Sequence, residues 1–511
     1  MMKRSILFSL LVVLLVQLPV LAQADLKKLD ACFAKALADW EVPGMAIAIV
    51  KDDAVVFQKG YGVCELGKPA KVDENTLFAI ASNTKAFTAA ALAILVDEGK
   101  VSWDDRVQDY LPYFQLYDPY VSHDFRIRDL LCHRSGIQTF GGDLIWYGTP
   151  YSREEVVRRA RYLPQAFPFR SGYGYSNIMF IAAGEVVEKV TGQRWEQFIR
   201  DRFLSPLGMK RTVLSVKELA AKTNVATPHA ELENKLSTFP WRDWANTVPA
   251  GGIISSVADL SHWLRLQLGR GTYGGKQFFS ERQSRVMWTP HVSFVSSKRG
   301  EERNPNARLS GYGLGWQLSA YRGALLAHHG GAYDGMVSHT GIVPDKQIGV
   351  AVLTNSTTAI ANALVYQVLD AYMGDSQTDW SAQELARSRE NKKRTLAERA
   401  LADSRRVADT KPSLPLQSYA GTYGGPMYGD AEIKVEDGRL VLAFLPNPEL
   451  TGDLTHWHFD TFAVKWRTAF PWFGKGKVQF LLDDEGQVVE MKIDVPNEDF
   501  WFTELEFKKK R

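Results

Sequence analysis

The sequence predicts an α/β (α+β) domain followed by a small all-β domain. Strand patterns lie at both ends of the first unit, at residues 44–63 and 313–355, so both ends of this segment close its sheet. Helical patterns with long loops fill the stretch between them, from about residue 104 to residue 268. After residue 416 the pattern changes to short β-type runs separated by turns, which is typical of a small barrel or sandwich.

Residues 1–24 have the pattern of a signal peptide. Lys3 and Arg4 precede an apolar run at residues 6–21, and Ala22-Gln23-Ala24 is a small-x-small cleavage site. The alternative is an uncleaved anchor, but the run is shorter than the roughly 20 apolar residues of a membrane-spanning helix. We therefore expect an exported protein, periplasmic or secreted, with no stable membrane insertion after signal removal.

The net charge and the cysteine content limit which partners and cofactors we expect for this protein. The chain has 61 Lys and Arg against 58 Asp and Glu, and loss of Lys3 and Arg4 with the signal peptide lowers the formal charge from +3 to +1. This near-neutral balance gives no reason to expect a nucleic-acid partner. Cys32, Cys64 and Cys132 allow at most one intramolecular disulfide, and the sequence has no CxxC metal-binding motif. We expect neither a metal nor another cofactor, and the sequence leaves the oligomeric state open.

The first unit, residues 25–373, opens with two strands and a buried helix. The strands are expected at residues 45–50 and 54–60, separated by a short polar turn. Residues 78–96 are then almost wholly apolar, and a helix that is apolar on all sides is a buried helix. We therefore expect the N-terminal end of this helix to lie inside the protein.

The rest of the first unit is predicted as helices followed by strands and a last helix. Ser256 and Asp259 form a capping pair that marks the start of one helix. The expected helices are residues 153–162, 178–191, 256–268 and 361–373, and the expected strands are residues 313–320, 324–329, 336–343 and 347–355.

A charged segment separates the first unit from the all-β tail. Residues 374–415 are rich in Glu, Arg and Ala, with too few apolar residues for a core, which indicates a solvated helical linker that tethers the tail. The tail, residues 416–511, contains no plausible pair of nucleophile and base, so we expect it to be separable from the chemistry. Its expected strands are residues 431–435, 440–444, 461–466, 478–482 and 488–493.

Ser82 and Lys85 are the candidate nucleophile and base. They are three residues apart at the head of the predicted apolar helix, so their side chains share one face. A serine hydroxyl needs a neighbouring base to act as a nucleophile, and a lysine in an apolar setting has a lowered pKa and can be that base. A chain of this length should contain roughly one S-x-x-K by chance. The predicted burial of Lys85 distinguishes this motif, because buried lysines are rare.

Two further motifs place polar side chains beside glycines. Tyr175 and Asn177 lie in a Gly-rich loop just before a predicted helix, where Gly, Ser and Asn also commonly form loops and caps. His329 precedes Gly330 and Gly331 at the end of a predicted strand, and glycines there let a peptide-like substrate approach the strand edge. A tight turn with a solvated histidine is the alternative.

In this order the three motifs resemble those of the class C β-lactamase and D-Ala-D-Ala peptidase family of penicillin-recognising serine hydrolases. The likeness is to the branch of esterases and D-aminopeptidases (peptidase family S12 type), and it covers about residues 26–373, including the stretches 130–136 and 248–260. It implies a β-lactamase/transpeptidase-like fold, with an antiparallel sheet flanked by helices and a helical subdomain. The tail resembles the lipocalin-like domain often appended in this branch, a small barrel.

The resemblance also implies a role for each candidate residue. Ser82 is the nucleophile, and Lys85 and Tyr175 exchange its proton. The groups implied to hold the substrate are Asn177, His329, Gly331 and the oxyanion-hole N–H groups of Ser82 and Ala332.

His329 stands where the family usually has a lysine. A lysine offers a permanent charge to a substrate carboxylate, whereas histidine is mostly neutral above about pH 6.5. If the imidazolium form of His329 assists, turnover of carboxylate-bearing substrates should fall as the pH rises through its pKa.

The sequence therefore predicts a serine hydrolase that works through an acyl-enzyme on amide or ester bonds. Its small-molecule or peptide substrates are expected to be D-amino-acid-containing peptides or short acyl esters. A β-lactamase and a non-catalytic penicillin-binding-type sensor are the alternatives. An α/β-hydrolase is disfavoured because the sequence has no G-x-S-x-G.

Overall fold

The computed structural model describes residues 24–304, 306–374 and 377–510. The expected signal peptide therefore lies, except for Ala24, outside the described residues. Among the helices that the structure describes, none is both long enough and apolar enough to cross a membrane.

The helices of the described residues fall into a cluster inserted within the sheet, two helices that pack on the sheet from the ends of the first unit, and a long connecting helix. They are α1 (Leu26–Asp39), α2 (Thr84–Asp97), α3 (Val107–Tyr110), α4 (Pro119–Asp124), α5 (Ile127–Leu130), α6 (Arg153–Arg159), α7 (Asn177–Thr191), α8 (Trp195–Ile199), α9 (Ser205–Leu207), α10 (Val248–Gly251), α11 (Val257–Leu268), α12 (Glu281–Met287), α13 (Lys298–Arg303), α14 (Ile360–Met373), α15 (Trp380–Ser404) and α16 (Leu416–Tyr419).

The strands of the described residues form one large sheet, one barrel and three two-stranded pairs. They are β1 (Gly44–Lys51), β2 (Ala54–Gly62), β3 (Phe78–Ala79), β4 (His229–Leu232), β5 (Lys235–Thr238), β6 (Ile254–Ser255), β7 (Thr272–Tyr273), β8 (Lys276–Gln277), β9 (Val292–Ser293), β10 (Ala307–Tyr312), β11 (Gln317–Tyr321), β12 (Ala324–Tyr333), β13 (Met336–Val343), β14 (Ile348–Thr354), β15 (Gly421–Gly425), β16 (Gly429–Glu436), β17 (Arg439–Phe444), β18 (Thr451–His458), β19 (Thr461–Trp466), β20 (Gly476–Leu482), β21 (Val488–Asp494) and β22 (Phe507–Lys509).

The large sheet is antiparallel and has the order β2-β1-β14-β13-β12-β11-β10-β9. Strand β1 pairs with β14, so the two ends of the segment meet in the sheet and the predicted α/β architecture is confirmed. The strand expected at residues 313–320 is displaced, because Gly315 has φ +77° in a turn that the Gly313 N–H closes on the Trp316 carbonyl at 2.8 Å. Strand β11 begins only after this turn.

Both faces of the sheet are buried, which explains the continuous apolar runs of β1 and β14. Ala46 and Ala48 of β1 face the core that contains α11, whereas Met45, Ile47 and Ile49 face α1 and α14. Helix α2 lies in the interior of the same core, and all but its last two residues are buried. The sheet therefore holds the head of α2 in a fixed place.

The tail is a closed antiparallel barrel of β15 to β22, which confirms the expected small barrel. Strands β15, β18 and β22 were not expected from the sequence. Their residues are rich in Gly, Thr, His and Lys, so neither alternation nor apolar content identifies them. These strands form because the barrel is closed: each strand pairs with a neighbour on both sides, so no edge is left unpaired.

The barrel is docked on the first unit, so the linker that the sequence predicts as a tether is not its sole connection to that unit among the described residues. Phe500 packs on Tyr147 with ring centroids 4.5 Å apart, and Phe473 lies 6.3 Å from the same ring. The Asn447 amide donates to the Tyr147 carbonyl at 3.1 Å. Buried residues of the barrel and of the first unit form one continuous apolar core. The connecting helix α15 is exposed over most of its length.

Candidate active site

Ser82 lies in a tight turn between β3 and α2. The turn is a 3₁₀ segment, Ala81–Asn83, and Ala81 has φ +46°, a left-handed conformation that non-glycine residues rarely adopt. Ser338 of β13 holds the turn, since its hydroxyl donates to the Ile80 carbonyl at 2.7 Å and accepts from the Asn83 amide at 2.8 Å. Backbone strain maintained by surrounding bonds is a common feature of functional sites.

Lys85 is fully buried one turn after Ser82, as the sequence predicts. Its Nζ lies 3.1 Å from Ser82 Oγ, 2.7 Å from Asn177 Oδ1 and 2.9 Å from the Ala250 carbonyl oxygen. Burial lowers the pKa of Lys85 to about 7. The amide and carbonyl oxygens can only accept, so they take two hydrogens of the neutral amine and leave its lone pair for the Ser82 hydroxyl.

Tyr175 is buried beside the same two residues. Burial raises the pKa of its phenol well above 10, although a hydrogen bond with Ser82 opposes this, and the ring lies 4.7 Å from Lys85 Nζ. His133 positions this loop: its ring centroid lies 4.1 Å from that of Tyr175, and its Nδ1 accepts the Ser176 N–H at 3.0 Å. Tyr175 therefore stays a neutral phenol that can donate a proton next to Ser82.

Asn177 is the first residue of α7 and connects Lys85 with Asp143. Its Nδ2 donates to Asp143 Oδ2 at 2.7 Å, and Trp146 Nε1 donates to Asp143 Oδ1 at 2.8 Å. Burial raises the pKa of Asp143 to about 8. Sequence reasoning missed Asp143, because no local motif marks it and its partner follows 34 residues later in the chain.

His329 is buried and neutral. Burial lowers the pKa of His329 to about 3, and the positive charge of Lys85 acts in the same direction. Its Nδ1 lies 2.5 Å from the Gly330 carbonyl, which can only accept, so Nδ1 carries the proton. Nε2 is then the acceptor for the Tyr312 hydroxyl at 2.8 Å. The structure thus favours a neutral imidazole over the imidazolium form, and Tyr312 is a second neighbour that the sequence did not indicate.

Gly331 lies against the Ser82 turn. A Cβ at this position would come within 2.2 Å of the Ile80 carbonyl oxygen and 3.0 Å of the Ser82 nitrogen, so only glycine fits. Pairing of β12 with β11 ends at His328, and the edge of β12 beyond it, which includes the exposed Ala332, has no partner strand among the described residues. The Ser82 N–H and this open edge are therefore neighbours.

Barrel residues border the loop that carries Asp143. The Glu504 carboxylate accepts the Gly142 N–H at 2.8 Å and the Gln138 amide at 2.5 Å, and Trp501 Nε1 donates to the Thr139 carbonyl at 2.8 Å. Burial raises the pKa of Asp499, in the same barrel loop, to about 6. These contacts were not predictable, because the sequence does not show where the tail docks.

The structure thus brings Ser82, Lys85, Tyr175, Asn177, His329 and Gly331 together between the sheet and the inserted helices, and Ala332 follows Gly331 along β12. In the part of the chain that the structure describes, no group of three or more His, Cys, Asp or Glu is arranged to hold a metal ion. A partly exposed serine hydrogen-bonded to a buried lysine, with a phenol beside them, is the arrangement of a serine hydrolase site.

Comparison with known proteins identifies the family. The Beta-lactamase family matches residues 29–372, and the chain belongs to it. Residues 405–509 match a second family, Domain of unknown function (DUF3471). The chain is 30% identical over 453 residues to Unguisins hydrolase ungD of Aspergillus violaceofuscus, a match that covers 81% of this chain and 79% of that protein. It is 28% identical to Protein flp of Staphylococcus aureus strain MW2, over 66% of this chain and 65% of that protein.

Solved structures share the fold. The octameric penicillin-binding protein homologue from Pyrococcus abyssi superimposes with a TM-score of 0.63 at 23% identity, over 95% of this chain and all of that chain. EstCE1, a hydrolase with promiscuous acyltransferase activity, gives a TM-score of 0.57 at 19% identity, over 68% of this chain and 98% of its own. The protein is a serine hydrolase of the beta-lactamase family with a C-terminal β-barrel.

Proposed function

We propose that the protein hydrolyses amide or ester bonds through an acyl-enzyme on Ser82. The observation that supports this most directly is the Lys85 amine, whose two other partners are acceptors and whose lone pair is left for the Ser82 hydroxyl. As Ser82 Oγ bonds to the substrate carbonyl carbon, its proton passes to Lys85. The oxyanion is stabilised by the N–H groups of Ser82 and Ala332.

The second half of the reaction uses Tyr175. Its phenol gives a proton to the leaving nitrogen or oxygen as that bond breaks, and Lys85 returns a proton to the phenol. Water then attacks the acyl carbonyl and loses a proton to the same pair of residues, which pass it to Ser82 Oγ as the ester bond breaks and the product acid leaves. Asn177 and His329 hold the substrate beside the edge of β12.

The charges around the cleft favour substrates without a carboxylate next to the scissile bond. His329 is neutral where the family usually has a lysine. We infer D-amino-acid-containing peptides or short acyl esters as substrates; the relative from Aspergillus is named as a hydrolase of unguisins. A β-lactamase is the weaker alternative.

We also propose that the protein is exported and acts in the periplasm or outside the cell, with the signal peptide at residues 1–24 removed. This rests on the basic, apolar and small-x-small pattern of that segment. Edman sequencing of the mature protein should begin at Asp25. A mature chain that still begins at Met1 would contradict the proposal.

A fluorophosphonate probe tests whether the protein is an enzyme. We expect covalent labelling of Ser82 in the folded wild type and none in Ser82→Ala, with turnover lost and folding retained. Ser176→Ala is the matched control: this neighbouring hydroxyl is buried with no hydrogen-bond partner among the described residues, so its loss should leave labelling intact. An unlabelled wild type would favour the non-catalytic sensor.

A further inference from the structure

We infer that Asp143 is a positioning residue that directs the lone pair of Lys85 towards Ser82 by fixing the orientation of the Asn177 amide. This inference rests on the proposed function and adds a residue to it. It starts from a chain of hydrogen bonds that runs from Asp143 Oδ2 through Asn177 to Lys85 Nζ and Ser82 Oγ, with lengths of 2.7, 2.7 and 3.1 Å.

The direction of each hydrogen bond in this chain follows from chemistry. Above its pKa of about 8, Asp143 is a carboxylate and only accepts, so the NH₂ group of Asn177 must then face Asp143 and its oxygen must face Lys85. If the amide were reversed, its NH₂ group would donate to the lone pair of Lys85, and the amine could no longer accept the Ser82 proton. The orientation of the Asn177 amide therefore decides whether Lys85 is a base for Ser82.

The second contact of Asp143 means that an amide cannot replace the carboxylate without loss. Trp146 Nε1 donates to Asp143 Oδ1, and an indole N–H cannot accept. Both oxygens of Asp143 are thus needed as acceptors, and an asparagine at this position offers only one. In an Asp143→Asn variant, one of the two donors, Trp146 Nε1 or the NH₂ group of Asn177, must face the NH₂ group of the new amide. The alternative is that the Asn177 amide reverses.

Asp143 also controls the charge of Lys85. The other titratable groups that face Lys85 are Tyr175, His133 and His329, and burial keeps all three neutral. The negative charge of Asp143 is the interaction that raises the pKa of Lys85 against the effect of burial. As the pH rises, Asp143 becomes a carboxylate that only accepts, and Lys85 becomes a neutral amine.

The rate of fluorophosphonate labelling of Ser82, measured against pH, tests the inference without a known substrate. For the wild type we expect the rate to rise between about pH 7 and pH 8, as Lys85 and Asp143 lose their protons. For Asp143→Asn we expect the plateau rate to fall by about tenfold, the cost of one unmade buried hydrogen bond. Its midpoint should move to lower pH, because the introduced amide carries no charge that favours the ammonium form of Lys85.

Exchange of the two side chains is the decisive variant. In Asp143→Asn/Asn177→Asp, every donor again has an acceptor: Trp146 donates to residue 143, and residue 143 and Lys85 both donate to residue 177. We expect the plateau rate to recover relative to Asp143→Asn. The midpoint should rise above that of the wild type, because a carboxylate then contacts Lys85 directly. If Asp143→Asn does not fold, the midpoint of the double variant relative to that of the wild type still tests the inference.

Trp146→Phe is the matched control. It disturbs the same buried carboxylate and loop but leaves Asn177 and the charge of Asp143 in place, so the rate should stay within about twofold of the wild type. An Asp143→Asn protein with the rate and midpoint of the wild type would overturn the inference, as would an equal loss in Trp146→Phe. A wild type that is not labelled would refute the proposed function and this inference together.

Discussion

At the residue scale, the chemistry of the site depends on burial that removes charge. A solvent-exposed lysine or histidine side chain is positively charged in acidic solution. Burial lowers the pKa of Lys85 to about 7 and that of His329 to about 3. The first change makes an amine that can take a proton from Ser82. The second makes a neutral ring that accepts from Tyr312 and offers no charge to a substrate.

The neutrality of His329 leads to a prediction about pH. A group with a pKa of about 3 stays neutral throughout the range in which Lys85 titrates, so it cannot distinguish anionic from neutral substrates there. We expect the pH–rate curves of a neutral ester and of a carboxylate-bearing amide to have the same shape, with rates that rise near pH 7 as Lys85 loses its proton. A selective fall of the amide curve as the pH increases would show instead that His329 acts as a cation.

The sequence identified the residues whose chemistry is visible locally and missed those that depend on tertiary contact. Ser82 and Lys85 are three residues apart at the head of an apolar helix, so their pairing could be predicted. Asp143 and Tyr312 reach the site from distant loops and strands, and nothing in the residues around them indicates a function. The charge state of His329 was left open by the sequence, because its burial depends on the packing of β12 against its neighbours.

At the scale of secondary structure, β12 and the Ser82 turn pack directly against each other. The bounds of β13 were predicted correctly because its residues are largely apolar or β-branched. Strand β12 was predicted to end at His329, but it continues to Tyr333 through two glycines that are poor strand formers. The close approach of the Ser82 turn is what requires Gly331.

This close approach predicts different effects for two adjacent substitutions. In Gly331→Ala the new Cβ would lie 2.2 Å from the Ile80 carbonyl oxygen, so the Ser82 turn must move. We expect a loss of about 1–3 kcal/mol of stability and of most Ser82 labelling. In Gly330→Ala the nearest atom is His339 Nδ1 at 3.3 Å, so labelling should persist. Thermal unfolding and probe labelling of both variants measure this, and equal behaviour would contradict it.

At the scale of the whole molecule, the barrel is part of the wall of the site. Glu504 and Trp501 hold the loop that carries Asp143, and Asn447 and Phe500 hold Tyr147. The sequence shows an aromatic-rich tail and a polar connector, and the connector indicated a tether. Docking could not be predicted, because it depends on which barrel loops meet which loops of the first unit.

Asp334 is the buried carboxylate at the centre of this docking. It follows the end of β12 directly and accepts from Tyr147 Oη at 2.5 Å, Trp244 Nε1 at 3.0 Å and Trp472 Nε1 of the barrel at 3.0 Å, with Arg242 Nε 3.4 Å away. Removal of one partner from a buried charged network typically costs about 3–5 kcal/mol. Asp334 therefore connects the strand edge of the site with the barrel.

We expect Asp334→Ala to lower the thermal unfolding midpoint by several degrees and to loosen the barrel, because its donors lose their common acceptor at once. Calorimetry should show one transition for the wild type, as its core is continuous, and an earlier transition of the barrel in the variant.

Asp453→Ala is the control, since this exposed carboxylate pairs with Arg467 on the barrel surface and its loss should cost at most about 1 kcal/mol. If both variants melted like the wild type, the apolar contacts between Phe500, Phe473 and Tyr147 would hold the barrel without Asp334. Slower labelling of Ser82 in Asp334→Ala, but not in Asp453→Ala, would show that docking of the barrel reaches the nucleophile.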